Sequence, residues 1–298
     1  SRITFKRTNF KTRKFKLMIA LDLIKFGARE LKQKRIVSSR LDSELLLSKI
    51  LNKKREEVLI NLDQEISQRY LSKYRKLISR RSQNEPVAYL LEEKEFWSKI
   101  FFVSSDTLIP RPETELMVEK LVKIFEKKKI SILDIGTGSG CILISLLSEL
   151  RHSRGVGVDI SKKALKIAKK NSEKHLTQNR IMFLNKSLDS KFSQNFDLIV
   201  SNPPYIRSNE IKNLKEDIKR YEPLIALDGG NDGLDLIKKI IYKAKYILKV
   251  KGKLALEIGN EQFKKVSEIL LKNNYKIDYN IKDYKDNIRS IVSTYIGK

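Results

Sequence analysis

Three short runs of this sequence hold residue types that could do chemistry. The first is Asn202-Pro203-Pro204-Tyr205. Two consecutive prolines fix two φ angles and remove two N–H donors. The carbonyls of Asn202 and Pro203 are then held rigidly. The Asn202 side chain offers an acceptor as well as donors, and Tyr205 offers a flat apolar face. Such a corner suits the gripping of a planar NH₂ group, with two acceptors for its two hydrogens and a ring beside its plane. The second run is Asp134-Ile135-Gly136-Thr137-Gly138-Ser139-Gly140. Glycines let the chain turn sharply and let a ligand approach the backbone. The spacing G-x-G-x-G differs from the G-x-G-x-x-G of dinucleotide sites and suits a nucleoside that carries an amino acid. The third is Asp159, about twenty residues further on, where an acid accepts hydrogen bonds from two ribose hydroxyls. Each such charge-assisted bond contributes roughly 1.5–3 kcal/mol. Taken singly, these runs also read as a stiff turn, a tight turn and a helix-start acid, so their placement decides.

The elements around them supply that placement. Ser131–Ile135 reads as a strand that runs into the glycines, and Cys141–Leu150 as the helix that follows. Val156–Asp159 is a strand and Lys162–Asn171 a helix with Ser161 as N-cap. Ile181–Leu184 and Phe196–Ser201 are strands, the latter leading into Asn202. A helix at Leu234–Leu248, a strand at Lys253–Ile258 and a helix at Gln262–Asn273 follow. Ile277–Ile281 and Ser290–Ile296 close as an antiparallel pair. Alternating β and α with short loops predicts an α/β fold, a mostly parallel sheet with helices on both faces. Ligands of such sheets bind beyond the carboxyl ends of the strands, where all three runs fall.

Residues 17–84 read as a small all-helical domain. Leu41, Leu45, Leu46 and Ile50 recur at helical spacing, as do Leu71, Tyr74, Leu77 and Ile78. Residues 85–112 change character, with Pro86, the aromatics Phe96, Trp97, Phe101 and Phe102, and then Ile109-Pro110-Arg111-Pro112. A β-hairpin followed by an extended linker is expected there. Residues 113–298 form the α/β domain. Residues 1–16 hold seven Lys and Arg and no acid; a disordered basic arm is expected, the alternative being the remnant of an organelle-targeting leader.

The formal net charge is +26, from 62 Lys+Arg against 36 Asp+Glu. Such a surplus favours polyanionic partners, which points to ribosome or RNA contact through a basic surface. The lysines are spread along the whole chain, often on what read as solvated helix faces, and charge alone does not identify a partner. No run reaches the roughly 18 apolar residues of a membrane span. A soluble, cytoplasmic protein is expected, or one of an organellar matrix if the arm is a leader remnant. The single cysteine, Cys141, excludes an internal disulfide. The two histidines, His152 and His175, have no ligand cluster around them, so no metal is expected.

The glycine loop, Asp159 and Asn202–Tyr205, in this order, resemble the amino-group-directed, Rossmann-like S-adenosylmethionine methyltransferases. Within those, the chain resembles the release-factor glutamine methyltransferases (PrmC/HemK type). The resemblance continues in Glu85-Pro86-Val87-Ala88-Tyr89, Glu95-Phe96-Trp97 and Thr107-Leu108-Ile109-Pro110-Arg111-Pro112-Glu113-Thr114-Glu115. It extends to Tyr221-Glu222-Pro223-Leu224, Ala226-Leu227, Asp283-Tyr284 and Asp286-Asn287. It implies a helical substrate-recognition domain, a hairpin linker and a catalytic domain acting on the glutamine of the GGQ loop of peptide chain release factors. It implies that Gly136, Thr137, Gly138, Ser139, Gly140, Asp159 and Asn202 line an S-adenosyl-L-methionine pocket. Asn202, Pro203, Pro204 and Tyr205 would hold the glutamine amide, with Asn202, Pro203 and Tyr205 as the catalytic set. The chain departs from the family at Glu92, where glycine is usual. It departs again after the third strand, where an acid and an aromatic are common near the adenine and the nearest register gives Ser187 and Leu188. A serine there is a neutral acceptor, which predicts a weaker hold on the cofactor. Three alternatives stay open at this point: a nucleic-acid amino methyltransferase acting on adenine or cytosine, a ribosomal-protein glutamine methyltransferase, and a non-catalytic RNA- or ribosome-binding protein with a degenerate cofactor pocket.

Overall fold

The computed structural model describes residues 18–192 and 195–297, so the expected basic arm lies outside the described residues. The chain divides into two compact units between Val87 and Ala88.

The first unit is helical. It contains α1 (Ala20–Gln33), α2 (Ser39–Leu51), α3 (Arg55–Ile60) and α4 (Gln68–Ser82). A two-residue pairing of β1 (Met18–Ile19) with β2 (Glu65–Ile66) adds to them. On α4 the expected stripe Leu71, Tyr74, Leu77 and Ile78 is buried. The Tyr74 hydroxyl donates to the Leu23 carbonyl and meets Ser43 Oγ, which satisfies it at the centre of the unit. On α2 the expected stripe is only partly buried: Leu46 is fully buried, Leu45 and Ile50 are half-buried, and Leu41 is 44% exposed. Beside Leu46 the helix buries Asp42, Ser43, Glu44, Leu47 and Ser48. Polar residues can occupy that face because each finds a partner. Arg81 pairs with Asp42 at 2.7 Å, and Arg40 and Arg55 hold Glu44 at 2.9 and 2.7 Å.

The second unit carries a seven-stranded sheet. Ahead of it stand a short helix α5 (Val87–Leu91), which begins on the last residue of the first unit, and the hairpin β3 (Glu93–Phe96) and β4 (Lys99–Phe102). Helix α5 was not foreseen. The hairpin turn places both Trp97 and Ser98 at positive φ, the pattern of a two-residue turn matched to strand twist. Carboxylates fix the unusual turn residue Trp97: Glu115 accepts from its N–H and Glu149 from its indole. The extended connector then runs into α6 (Pro112–Phe125). Pro112 occupies the first turn of this helix instead of breaking it, since no N–H is needed there.

Next come β5 (Ser131–Ile135), α7 (Cys141–Glu149), β6 (Arg154–Asp159), α8 (Lys162–Lys174), β7 (Ile181–Asn185), β8 (Phe196–Ser201) and a short α9 (Glu216–Tyr221). Then follow α10 (Asp235–Ile247), β9 (Leu248–Glu257), α11 (Phe263–Lys272), β10 (Tyr275–Lys282) and β11 (Ile288–Tyr295). The sheet order is β10-β11-β9-β8-β5-β6-β7. The strands from β9 to β7 run parallel, and β11 and β10 add antiparallel. Successive residues face opposite layers. Ile132, Leu198 and Val200 pack with α6 and α7, while Leu133, Ile199 and Leu254 pack with α10 and α11. The chain leaves β5 for β6 on one side and returns as β8 on the other. The carboxyl ends of β5 and β8 therefore border the switch point where such sheets bind ligands.

Glu92, just before the hairpin, has φ +61°. A left-handed conformation costs a non-glycine residue roughly 1–2 kcal/mol, which accounts for the glycine usual at this place in the family that the sequence resembles. Glycine's greater freedom in the unfolded chain offsets part of that. Glu92→Gly is therefore expected to stabilise the protein by about 0.5–1 kcal/mol. An unchanged urea midpoint would contradict this.

Candidate active site

The glycine loop leaves β5 and enters α7. Gly136, Gly138 and Gly140 all have positive φ, which side chains rarely tolerate. A Cβ at Gly136 would meet nothing within 4 Å, and one at Gly138 only the Gly136 carbonyl at 3.9 Å. The loop therefore presents bare backbone to open space. Gly140 has a different role. It does not line the cavity described below, and a Cβ there would come within 2.9 Å of Ile144 Cδ1 and 3.2 Å of Ala168 Cβ, so glycine lets α7 and α8 approach.

Asp159, at the end of β6, shapes the same loop. Its carboxylate accepts from the Gly138 N–H at 2.9 Å and from the Ser161 N–H at 2.8 Å. Ser161 caps α8, as expected, by accepting from Ala164 N–H. Asn171 of α8 is fully buried and donates to the carbonyls of Ser139 and Phe102, tying the loop to the hairpin. Asp134 lies beneath, and burial pushes it up to about 7, a rise that a hydrogen bond from Thr137 only partly offsets.

The corner Asn202–Tyr205 follows β8 directly. Its backbone is clamped from behind: Gln262 Nε2 donates to the Tyr205 carbonyl, and Ile206 exchanges backbone hydrogen bonds with Leu227 and Gly229. A Cβ at Gly229 would stand 2.8 Å from the Pro204 carbonyl and 2.9 Å from Tyr205 Cα. Both are backbone atoms and cannot swing aside. Gly229→Ala is therefore expected to destabilise the fold by roughly 1–3 kcal/mol and to lower turnover by displacing the corner. A thermal melt and a rate that both match the wild type would contradict it. In front, Arg289 Nη2 donates to the Tyr205 hydroxyl at 3.0 Å and holds the ring. The turn that leads β10 into β11 is organised by Asp283, whose carboxylate accepts from the backbone N–H of Lys285 and Asn287.

A cavity of about 320 Å³ joins these pieces. Gly136, Thr137, Gly138, Ser139, Asp159, Ser187, Leu188, Asn202, Pro203 and Pro204 all line it. A smaller cavity of about 130 Å³ is lined by Asn202, Pro203, Tyr205, Leu108 and Arg111 among others. Tyr205 thus faces the smaller space, and Asn202 and Pro203 face both.

Several residues at the site were given no role by the sequence reading. Asp189 lines the large cavity beside Ser187 and Leu188 and pairs with Lys243 at 3.6 Å, so a carboxylate does stand on that wall. Glu222 accepts from the Ile109 N–H and pairs with Arg111 at 2.5 Å, which joins two motifs far apart in the chain. Thr114, in the first turn of α6, donates to Glu257 Oε2 at 2.5 Å and accepts from Asn202 Nδ2 at 3.4 Å. Only the Pro112-Glu113-Thr114-Glu115 motif hinted at Thr114, and nothing local marked Glu257. Among the described residues, no group of His, Cys, Asp or Glu is arranged to hold a metal, and no helix is long and apolar enough to cross a membrane.

Comparison with known proteins agrees with this layout. Residues 22–91 match the family described as PrmC N-terminal domain, and residues 111–219 match the methyltransferase small domain. The chain is 40% identical over 271 residues to a bifunctional methyltransferase of Rickettsia prowazekii, covering 84% of this chain and 52% of that protein. It therefore spans about half the length of those bifunctional relatives. It is 44% identical over 250 residues to a release factor glutamine methyltransferase of Buchnera aphidicola subsp. Schizaphis graminum, covering 84% of this chain and 90% of that one. Among solved structures, the hMettl16 catalytic domain, determined with the MAT2A 3′UTR hairpin 6, superposes with a TM-score of 0.57 at 15% identity. That match covers 74% of this chain and 82% of the other and shows a shared fold. With both family domains in order and a relative matched over nearly its whole length, the chain belongs to the release factor glutamine methyltransferase family.

Proposed function

We propose that this protein methylates the side-chain amide nitrogen of a glutamine, that of the GGQ loop of peptide chain release factors, with S-adenosyl-L-methionine as methyl donor. One observation carries the reading: Asn202 and Pro203 line both cavities. Their acceptors stand between a space sized for a nucleoside and a smaller one that also has Tyr205 on its wall. The larger cavity fits the donor. Bare backbone at Gly136 and Gly138 and the carboxylate of Asp159 would hold the amino-acid and ribose portions, with Ser187, Leu188 and Asp189 around the base.

When bound, S-adenosylmethionine supplies an electrophilic methyl group on a sulfonium. The difficulty lies with the nucleophile, since an amide nitrogen's lone pair is delocalised into its carbonyl. Asn202 Oδ1 and the Pro203 carbonyl accept hydrogen bonds from the two amide hydrogens, which orients the nitrogen. The same oxygens favour the positive charge that develops on it. Tyr205, anchored by Arg289, flanks the amide plane. No strong general base is needed, because the nitrogen's proton leaves after alkylation, to one of these oxygens or to water.

In this reading the helical unit helps to hold the release factor, the hairpin joins it to the methyltransferase domain, and the basic surface contacts ribosome or RNA where translation takes place, in the cytoplasm or an organellar matrix. Labelled donor, incubated separately with a purified release factor, DNA and RNA, tests it. Label should enter the release factor alone. Label in nucleic acid with none in the factor would replace this reading by the adenine or cytosine one.

A further inference from the structure

Asn202 is a workable grip only if its amide faces the substrate oxygen first. Turned over, it would present Nδ2 donors to an NH₂ group that also donates. The side chain's own bond does not choose strongly, since the Nδ2–Thr114 contact is 3.4 Å long. What chooses is the partner behind it. A threonine hydroxyl has a single proton. Thr114 gives that proton to Glu257 Oε2 at 2.5 Å, so towards Asn202 it can only accept, and an accepting neighbour requires Nδ2. Oδ1 is then left for the cavities.

We propose that Thr114 and Glu257 are positioning residues that set the hydrogen-bond polarity of the Asn202 amide, and that this polarity depends on the charge of Glu257. This rests on the reading that Asn202 Oδ1 accepts from the substrate amide. The charged carboxylate must take the Thr114 proton. The protonated acid reverses the chain. Its other oxygen, Oε1, is buried without a partner, so the acid's proton gains a hydrogen bond only on Oε2, facing Thr114. The Thr114 hydroxyl then donates to Asn202, and the amide turns its oxygen away from the substrate.

The register makes the arrangement stable. Ser201 of β8 pairs with Leu256 of β9, which sets Glu257 beside Asn202. Glu257 is 1% exposed, and burial pushes its carboxyl up to about 7. The titratable and charged groups around it are Arg289 from β11, Arg111 and Glu113 at the start of α6, the Cys141 thiol at the start of α7, and the phenol of Tyr205. The two arginines favour its ionised form and Glu113 opposes it. The ionised, working form therefore gains population as pH rises through neutrality.

Steady-state kinetics on a release factor, run as a function of pH, separate the possibilities. Thr114→Val is expected to lower kcat by about tenfold, the effect of one lost orienting hydrogen bond, with affinity for S-adenosylhomocysteine unchanged. Thr114→Ser keeps the hydroxyl and should restore turnover. The wild type should show turnover rising through about pH 7. That limb should vanish in Thr114→Val and in Glu257→Gln, and Thr114→Val should cost nothing further in an Asn202→Ala background. Wild-type kcat in Thr114→Val, or a limb that persists in both variants while Asn202→Ala is inactive, overturns the relay and leaves the Asn202 grip standing. Full turnover in Asn202→Ala overturns the grip and the relay together.

Discussion

Asn202→Ala is expected to lower kcat by roughly 10²–10³-fold, the range for removing one preorganised polar group at a developing charge. The loss should fall on turnover and spare folding. The side chain makes one long hydrogen bond, to Thr114, and the corner is held through its own backbone instead, by the Gln262 side chain and by the backbone of Leu227 and Gly229. Affinity for S-adenosylhomocysteine should change little, because the glycine loop, Asp159, Ser187 and Asp189 all remain on that cavity's wall. A steady-state assay in which Asn202→Ala turns over at near the wild-type rate would remove the residue from its role, whatever its effect on KM.

Asp159→Ala is expected to act on binding. Its two oxygens already order Gly138 and Ser161, so alanine both removes the acceptors proposed for the ribose and frees the loop beside them. Bonds of roughly 1.5–3 kcal/mol to a charged group, at tenfold per 1.4 kcal/mol, give a loss of about 10–100-fold in affinity for S-adenosylhomocysteine. At saturating donor most of kcat should return, which sets this variant apart from Asn202→Ala. Calorimetric titration giving an unaltered Kd would contradict the assignment.

What the sequence made legible was local. The strand–glycine–helix unit, Asp159 at a strand end and the Asn202 corner each lie within a few neighbouring residues, and the structure brings them to one cavity. What it hid depends on pairing at long separation. Glu257 is 143 residues from Thr114, and only the β8–β9 register brings it next to Asn202. The stripe expected on α2 was right at Leu46 but missed the polar part of the buried face, where Arg81 and Arg55 pair with Asp42 and Glu44. Gly140 was grouped with its neighbours by the glycine spacing and the resemblance, while the space a Cβ would need there is taken by Ile144 and Ala168. The departure at Ser187 and Leu188 looked like a loss of the acid near the base, while Asp189 reaches the same wall from one residue further along.

A crystal structure of the protein with S-adenosylhomocysteine and a glutamine-containing peptide from a release factor reaches the central claim most directly. The peptide's amide nitrogen should lie within hydrogen-bond distance of both Asn202 Oδ1 and the Pro203 carbonyl, beside the Tyr205 ring, facing the thioether sulfur. A glutamine bound elsewhere, with those two oxygens turned to solvent or to another group, would contradict it.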